Sequence, residues 1–167
     1  MKSNLMKTNY NINKEAKQII VERSFSASKD LVWDAYTKSE ILEQWWAPNP
    51  YKTITKEMNF SEGGHWFYYM LSPAGEKHWC LVNYINIKPQ DFFSAKDGFC
   101  DENKTVNTSF PSTYWENNFL EEQDYTKVIT TLNFQSVEAL EQLVSMGFKE
   151  GFAMAHENLD QLFLKMK

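Results

Sequence analysis

The sequence predicts an α+β domain in which a curved antiparallel sheet of about seven strands wraps around one long C-terminal helix. Three observations indicate this class: alternating apolar residues through the middle of the chain, short turns between those runs, and a helical apolar stripe near the end. At 167 residues the chain has the length of one domain. We expect a flexible N-terminal arm at 1–14, where the sequence is polar and rich in asparagine, and a single domain at 15–167.

Seven segments have the composition or alternation of strands. Short turns separate neighbouring segments in the middle of the chain, so the pairing is expected to be local and antiparallel. The turn at 88–91, Lys-Pro-Gln-Asp, is expected to join two strands of this meander. The predicted strands are 17–25, 51–60, 65–71, 77–87, 91–99, 113–122 and 125–134.

Two short helices are expected after the first strand. Ser26 or Ser28 can cap the first, Ser39 is the expected N-cap of the second, and Pro48 ends it. At the other end of the chain, Ser136 precedes a short helix that should stop or bend near Gly147. The long helix follows at 148–166, with an apolar stripe of Phe148, Phe152, Ala155, Leu159 and Leu162.

This order of elements leaves a space inside the domain. A strongly twisted sheet covered by a single long helix leaves positions where facing side chains do not meet. The two short helices can close one end of that space. Trp45 and Trp46, at the end of the second helix, are then expected at its mouth.

Charge and composition limit the classes of partner that the protein is expected to bind. The net charge is -5, the pI is about 5.2 and the basic residues are scattered, so nucleic acid is not expected as a partner. No signal-peptide core and no run of about 18 apolar residues are present, so we expect no membrane association and a cytoplasmic location. Two cysteines, Cys80 and Cys100, fit a reducing compartment as free thiols, although they could pair under oxidation.

Four segments resemble, in order, the START-like, Bet v 1-like helix-grip domains of the SRPBCC superfamily, in the branch like the C-terminal domain of the Aha-type activator of heat-shock protein 90 ATPase. The resemblance covers about residues 17–165. It includes Val32-Trp33 and Trp45-Trp46 in the first helices and Phe152 where the family usually has Trp after Gly. The segments are "FSASKDLVWDAYTKSEILEQWWAP", "EGGHWFYYM", "INIKPQDFF" and "FQSVEALEQLVSMGFKEGFAMAHENLDQL".

The resemblance implies which face of the strand 65–71 points to the helix. Trp66, Tyr68 and Met70 share one face, and the family register places them inward. They then form either an apolar pocket wall or a solid core under the helix.

Two polar residues are candidates for orienting a ligand. Asn83 interrupts an apolar row of the next strand that includes Trp79 and Leu81, and a buried amide needs partners, which backbone or water could also supply. His156 borders the stripe of the long helix, where it is either a general base, a ligand contact or a half-exposed helix histidine.

Motifs for metals and cofactors are missing from the sequence. His78, Cys80 and Cys100 could supply three ligands, but no CxxC pair or HExxH-like helix accompanies them, so no metal is expected. There is also no GxGxxG, P-loop or GxSxG sequence, so no cofactor is expected.

The leading hypothesis is a small-molecule binding protein, expected to be non-enzymatic, that holds an apolar or aromatic ligand between the sheet and the C-terminal helix. One alternative is a cyclase- or hydrolase-type enzyme that uses the same cavity, with His156 as its only catalytic candidate. The other is a chaperone-associated interaction module with a protein partner. The expected ligand contacts are Trp45, Trp46, Trp66, Tyr68, Met70, Asn83, Phe152 and His156.

Overall fold

The structure is a computed structural model that describes residues 7–110 and 112–166. Its strands form one antiparallel sheet of eight strands in the order β1-β2-β8-β7-β6-β5-β4-β3, which confirms the α+β helix-grip class. The strands are β1 (Asn9–Asn13), β2 (Gln18–Phe25), β3 (Lys52–Met58), β4 (His65–Leu71), β5 (Lys77–Lys88), β6 (Phe92–Phe99), β7 (Thr113–Glu122) and β8 (Tyr125–Asn133). The helices are α1 (Lys29–Thr37), α2 (Ser39–Leu42), α3 (Val137–Ser145) and α4 (Phe148–Met166).

The eighth strand is β1, which lies in the segment that we expected to be a flexible arm. Residues 9–13 pair with β2, from Asn9 opposite Glu22 to Asn13 opposite Gln18, so the expectation is wrong for them. The hydroxyl of Tyr10 also donates to the backbone oxygen of Lys149 at 2.6 Å. Every second residue of this strand makes apolar contacts, but the asparagines between those residues make the segment look polar in the sequence, so its strand alternation was not recognised. Residues 1–6 of the expected arm lie outside the described residues.

The short helices differ in how they begin and end. Ser28 caps α1, because its hydroxyl accepts a hydrogen bond from the Leu31 amide at 3.2 Å. Ser39 does not cap α2: it is the first helical residue, and Lys38 occupies the cap position without a side-chain hydrogen bond. The helix ends at Leu42, earlier than expected, and Trp45 and Trp46 follow in turn conformation.

The register of β4 against β5 fixes which residues face the helix. Tyr68 lies opposite Cys80, and Trp66 lies opposite Val82. Because directly opposed residues point to the same face of a sheet, the inner row of β5 contains Cys80 and Val82. Asn83 is exposed on the outer face, so its expected inward position is wrong. Both faces of β5 carry apolar residues, and alternation alone therefore did not select the inner one.

The long helix covers the inner face of the sheet. Gly147, with φ of 90°, joins α3 to α4 and gives the expected bend, which a residue with a side chain would adopt only with strain. The buried residues of α4 are Phe152, Ala155, His156, Leu159 and Phe163. In the described part of the chain, every helix is too short or too polar to cross a membrane.

Candidate functional site

A cavity of about 260 Å³ lies between the inner face of the sheet and the α3–α4 junction. We call it the outer chamber. Strands β4 to β7 contribute Tyr68, Met70, Asp97 and Trp115, while the helices contribute Phe148 and Phe152. Met146, an exposed residue beside the bend, also lines it, so this side of the chamber reaches the surface.

A smaller space of about 40 Å³, the inner chamber, lies deeper under the sheet. Trp66, Val82 and Tyr84 line it from β4 and β5. Trp46, Asp97, Trp115 and Phe152 line both chambers and so form the boundary between them. The lining is thus mainly aromatic and apolar.

Trp46 is the central wall residue. Its indole Nε1 donates to the hydroxyl of Tyr68 at 2.9 Å, which fixes the ring against β4. Its ring centroid lies 6.1 Å from that of Phe152 and 6.2 Å from that of Trp115. The turn after α2 therefore places the Trp46 indole, fixed by this hydrogen bond, in the space between the sheet and α4.

Trp45 has a different environment from its neighbour. It is fully buried, and its Nε1 donates to the backbone oxygen of Ala35 at 2.9 Å. Its ring packs against Tyr36, with the centroids 4.9 Å apart. Trp45 therefore belongs to the solid core and does not line either chamber, unlike the expectation for both tryptophans.

The hydroxyl and thiol groups at the chamber wall remain neutral at ordinary pH. Tyr68 stacks on Trp66 with centroids 3.9 Å apart, and burial raises the pKa of its phenol well above the usual value of 10. Burial also raises the pKa of the Cys80 thiol to about 12. Neither group supplies charge to the chamber.

Asp97 is the acidic residue of both chambers. It lies on the inner face of β6, opposite Val82 of β5 and Thr113 of β7. Burial raises the pKa of its carboxyl to about 7, and hydrogen bonding from Trp115 and from backbone amides lowers it less than burial raises it. The Trp115 indole N–H makes no hydrogen bond of normal geometry within the described chain, so its interaction with the Asp97 carboxyl is weak.

His156 lies in the core and does not line either chamber. It is fully buried, its Nδ1 is 2.8 Å from the hydroxyl of Thr8, and its ring lies 4.2 Å from that of Phe152. Burial and the charge of Arg23 lower the pKa of the imidazole to about 3. The structure therefore shows neither a half-exposed histidine nor a group that faces the cavity.

Five of the eight expected contacts line the chambers, namely Trp46, Trp66, Tyr68, Met70 and Phe152. Trp45 and His156 lie in the core, and Asn83 lies beside a surface groove. Cys80 and Cys100 are free thiols. Among the residues that the structure describes, no group of three His, Cys, Asp or Glu side chains is placed to hold a metal ion.

Sequence reasoning missed Asp97 and Trp115. A signal for Asp97 was present, because Phe93, Ala95 and Phe99 alternate with it along one strand and make it a charged residue in an apolar row. Trp115 likewise alternates with Asn117 and Phe119 on β7. The side of the sheet on which these rows lie depends on the register, which the sequence did not provide.

The fold and the cavity together define a helix-grip protein with an aromatic chamber under its sheet. Residues 26–164 match the model of the family described as "Activator of Hsp90 ATPase homolog 1-like protein", and the chain belongs to that family. The family is consistent with a ligand-binding module or one like the Hsp90 activator. A comparison with curated proteins gives no match.

Solved structures of similar fold come from several bacteria. Protein Ms6760 from Mycobacterium smegmatis is 27% identical with a TM-score of 0.86, over 93% of this chain and 96% of that one. A protein from Arthrobacter aurescens is 26% identical with a TM-score of 0.86, over 91% and 88% of the two chains. A protein from Staphylococcus epidermidis is 29% identical with a TM-score of 0.82, over 94% and 95%.

Proposed function

We propose that this protein binds a small apolar or aromatic molecule in the outer chamber. The observation that carries the proposal is the chamber itself, a space of about 260 Å³ walled by aromatic side chains from the sheet, the turn after α2 and α4. Its volume is near the lower end of sites that hold small organic molecules. Contact with the aromatic rings supplies affinity, and the few polar groups supply selectivity.

The position of His156 bears on the enzymatic alternative. That alternative relied on an imidazole in the cavity, whereas the imidazole here is enclosed by Phe25, Trp45 and Phe152 and contacts Thr8. Proton transfer to a substrate requires hydrogen-bond reach, directly or through one water. The geometry therefore favours binding over catalysis by His156.

The test is thermal unfolding in the presence of a panel of small aromatic and aliphatic compounds. A ligand at about a hundred times its Kd adds roughly 2.7 kcal/mol, which raises Tm by several degrees in a domain of this size. Met70→Trp fills part of the chamber and should abolish the shift. Met154→Trp places the same ring on an exposed position of α4 and should keep it.

A shift that survives Met70→Trp would place the ligand elsewhere, and a panel without any shift would contradict the cavity hypothesis. The second result would favour the chaperone-associated module, which a pull-down with purified Hsp90 would then test.

A further inference from the structure

We propose that the ligand of the outer chamber is an organic cation, an aromatic or alkyl amine whose ammonium group pairs with Asp97. This inference rests on the proposed function and names the chemical class of its ligand. The observation behind it is one carboxyl that lines both chambers while aromatic rings surround the remaining space.

The first step is the missing counterion. The described residues that line the two chambers include no lysine, arginine or histidine. A carboxylate that is removed from water without a cation is strongly disfavoured, and a ligand that carries the cation removes this penalty. Asp97 therefore favours a positively charged ligand over a neutral one, and it repels an anion.

The second step is the aromatic lining. Trp46, Trp115, Phe148 and Phe152 form a connected set, with neighbouring ring centroids 5.3 to 6.3 Å apart. Aromatic faces attract alkylammonium groups, and tryptophan does so most strongly. The same rings also supply apolar contact for the carbon skeleton of an amine. The net charge of -5 further favours the approach of a cation.

The third step is the state of the groups around Asp97. Tyr68 of β4 and Cys80 of β5 are the titratable groups of the chamber wall that interact with it, and both remain protonated near neutral pH. Lys96 of β6 and Glu138 of α3 lie with Asp97 along the neighbouring surface groove, outside the two chambers. Trp115 and Thr113 of β7 and Phe152 of α4 carry no charge. Burial is thus the largest influence on the ionisation of Asp97 in the free protein, with hydrogen bonds opposing it more weakly, and an ammonium group binds the ionised form.

This mechanism gives the amine a pH-dependent affinity. The free carboxyl has a pKa of about 7, so below that pH it must lose a proton before it can pair with the cation. The affinity for an amine should be constant above pH 7 and fall towards tenfold per unit below it. A neutral ligand of the same shape has no such requirement.

The experiment is calorimetric titration at pH 8 with 2-phenylethylamine, 2-phenylethanol and 3-phenylpropionate. We expect the amine to bind roughly ten- to a hundredfold more tightly than the alcohol, because a hydrogen bond to a buried charge adds that much. The carboxylate should bind most weakly. Asp97→Asn should reduce the amine to the affinity of the alcohol and should abolish the pH dependence.

Asp124→Asn is the matched control, since it removes one negative charge from the exposed β7–β8 turn. It should keep the preference for the amine. If the alcohol binds as tightly as the amine, or if Asp97→Asn keeps the preference, the cation inference is wrong while the proposed cavity function stands.

If neither compound binds, and the wider panel also gives no shift, the proposed function fails and the inference fails with it. A pH series on the unsubstituted protein tests the inference without relying on the folding of Asp97→Asn. An amine affinity that stays constant from pH 8 to pH 5 would overturn it.

Discussion

Trp45 and Trp46 are consecutive residues, yet they belong to regions that are packed in opposite ways. The solid region surrounds Trp45 and contains Phe25, Phe163 and His156, which lie in ring contact and line neither chamber. The hollow region surrounds Trp46 and contains Asp97, Trp115 and Phe152 around an open space. Each region includes a titratable group whose pKa is shifted by burial, His156 in the first and Asp97 in the second.

The difference between those two groups agrees with the role proposed for each region. His156 has lost its charge and is held between aromatic rings with Thr8 as its polar partner, so it contributes packing. Asp97 has a pKa of about 7, so its carboxyl can ionise near neutral pH, and it borders the open chamber without a basic residue in the described chamber lining. Solid packing therefore stabilises the fold, while the hollow leaves a polar group beside open space, as the proposed ligand site requires.

The largest expected effect is the loss of the Trp45 ring. Trp45→Ala should lower the free energy of unfolding by about 3–5 kcal/mol, because it leaves a cavity in close-packed surroundings. Trp46→Ala should cost about 1–2 kcal/mol less, since that ring already borders empty space. Urea unfolding of both variants measures the difference, and equal costs would contradict the division into two regions.

Acid stability tests the solid region. The folded pKa of His156 is about 3 against a usual value of 6.5, so the unfolded chain binds a proton first as the pH falls. This group should therefore lower the stability by about 2 kcal/mol between pH 7 and pH 5, where the unfolded imidazole is protonated. His156→Phe should remove that part of the acid sensitivity in unfolding curves recorded at both pH values. An unchanged slope would mean that His156 also takes up a proton in the folded protein.

In the hollow region the stability should change with pH in the opposite direction. The folded pKa of Asp97 is about 7 against 3.8, so the folded state retains its proton while the unfolded state releases it. Stability from this group should fall by about 1–2 kcal/mol from pH 4 to pH 7, with allowance for its partial exposure. Asp97→Asn should abolish that decline in the ligand-free protein. A decline that persists would mean that another group causes it.

Much of the fold could be predicted because its elements are local. Alternation and turns gave seven strands, and the 3.6-residue stripe gave α4. The faces of β5 could not be predicted, because both rows are apolar and only pairing with β4 decides between them. The inward orientation of Trp66, Tyr68 and Met70 was predicted correctly, because the family resemblance implied the orientation of their strand. Without such information for β5 and β6, sequence reasoning selected Asn83 as a polar ligand contact and missed Asp97.

The smallest expected effect concerns the helix that borders the hollow region. Ser136 caps α3 by accepting from the Ala139 amide at 3.1 Å, and Leu140 is the only fully buried residue of that helix. Ser136→Ala should cost about 1 kcal/mol, as should Ser28→Ala at α1. Hydrogen exchange distinguishes them: α3 should open locally, whereas α1 should exchange only with global unfolding. Equal protection of both helices would contradict the expected looseness at the chamber.

The different positions of the two adjacent indoles also make intrinsic tryptophan fluorescence a measure of whether the chamber is occupied. Their rings are nearly perpendicular, at 81° with centroids 5.4 Å apart, and only Trp46 borders the chamber. Occupation of the outer chamber would change the emission of Trp46 and of Trp115, which also lines it, whereas Trp45 lies outside it. A variant with Trp46→Phe and Trp115→Phe would remove both indoles of the outer chamber and keep Trp45, so filling of the chamber can be read from the difference in intrinsic fluorescence between the two proteins, without any added dye.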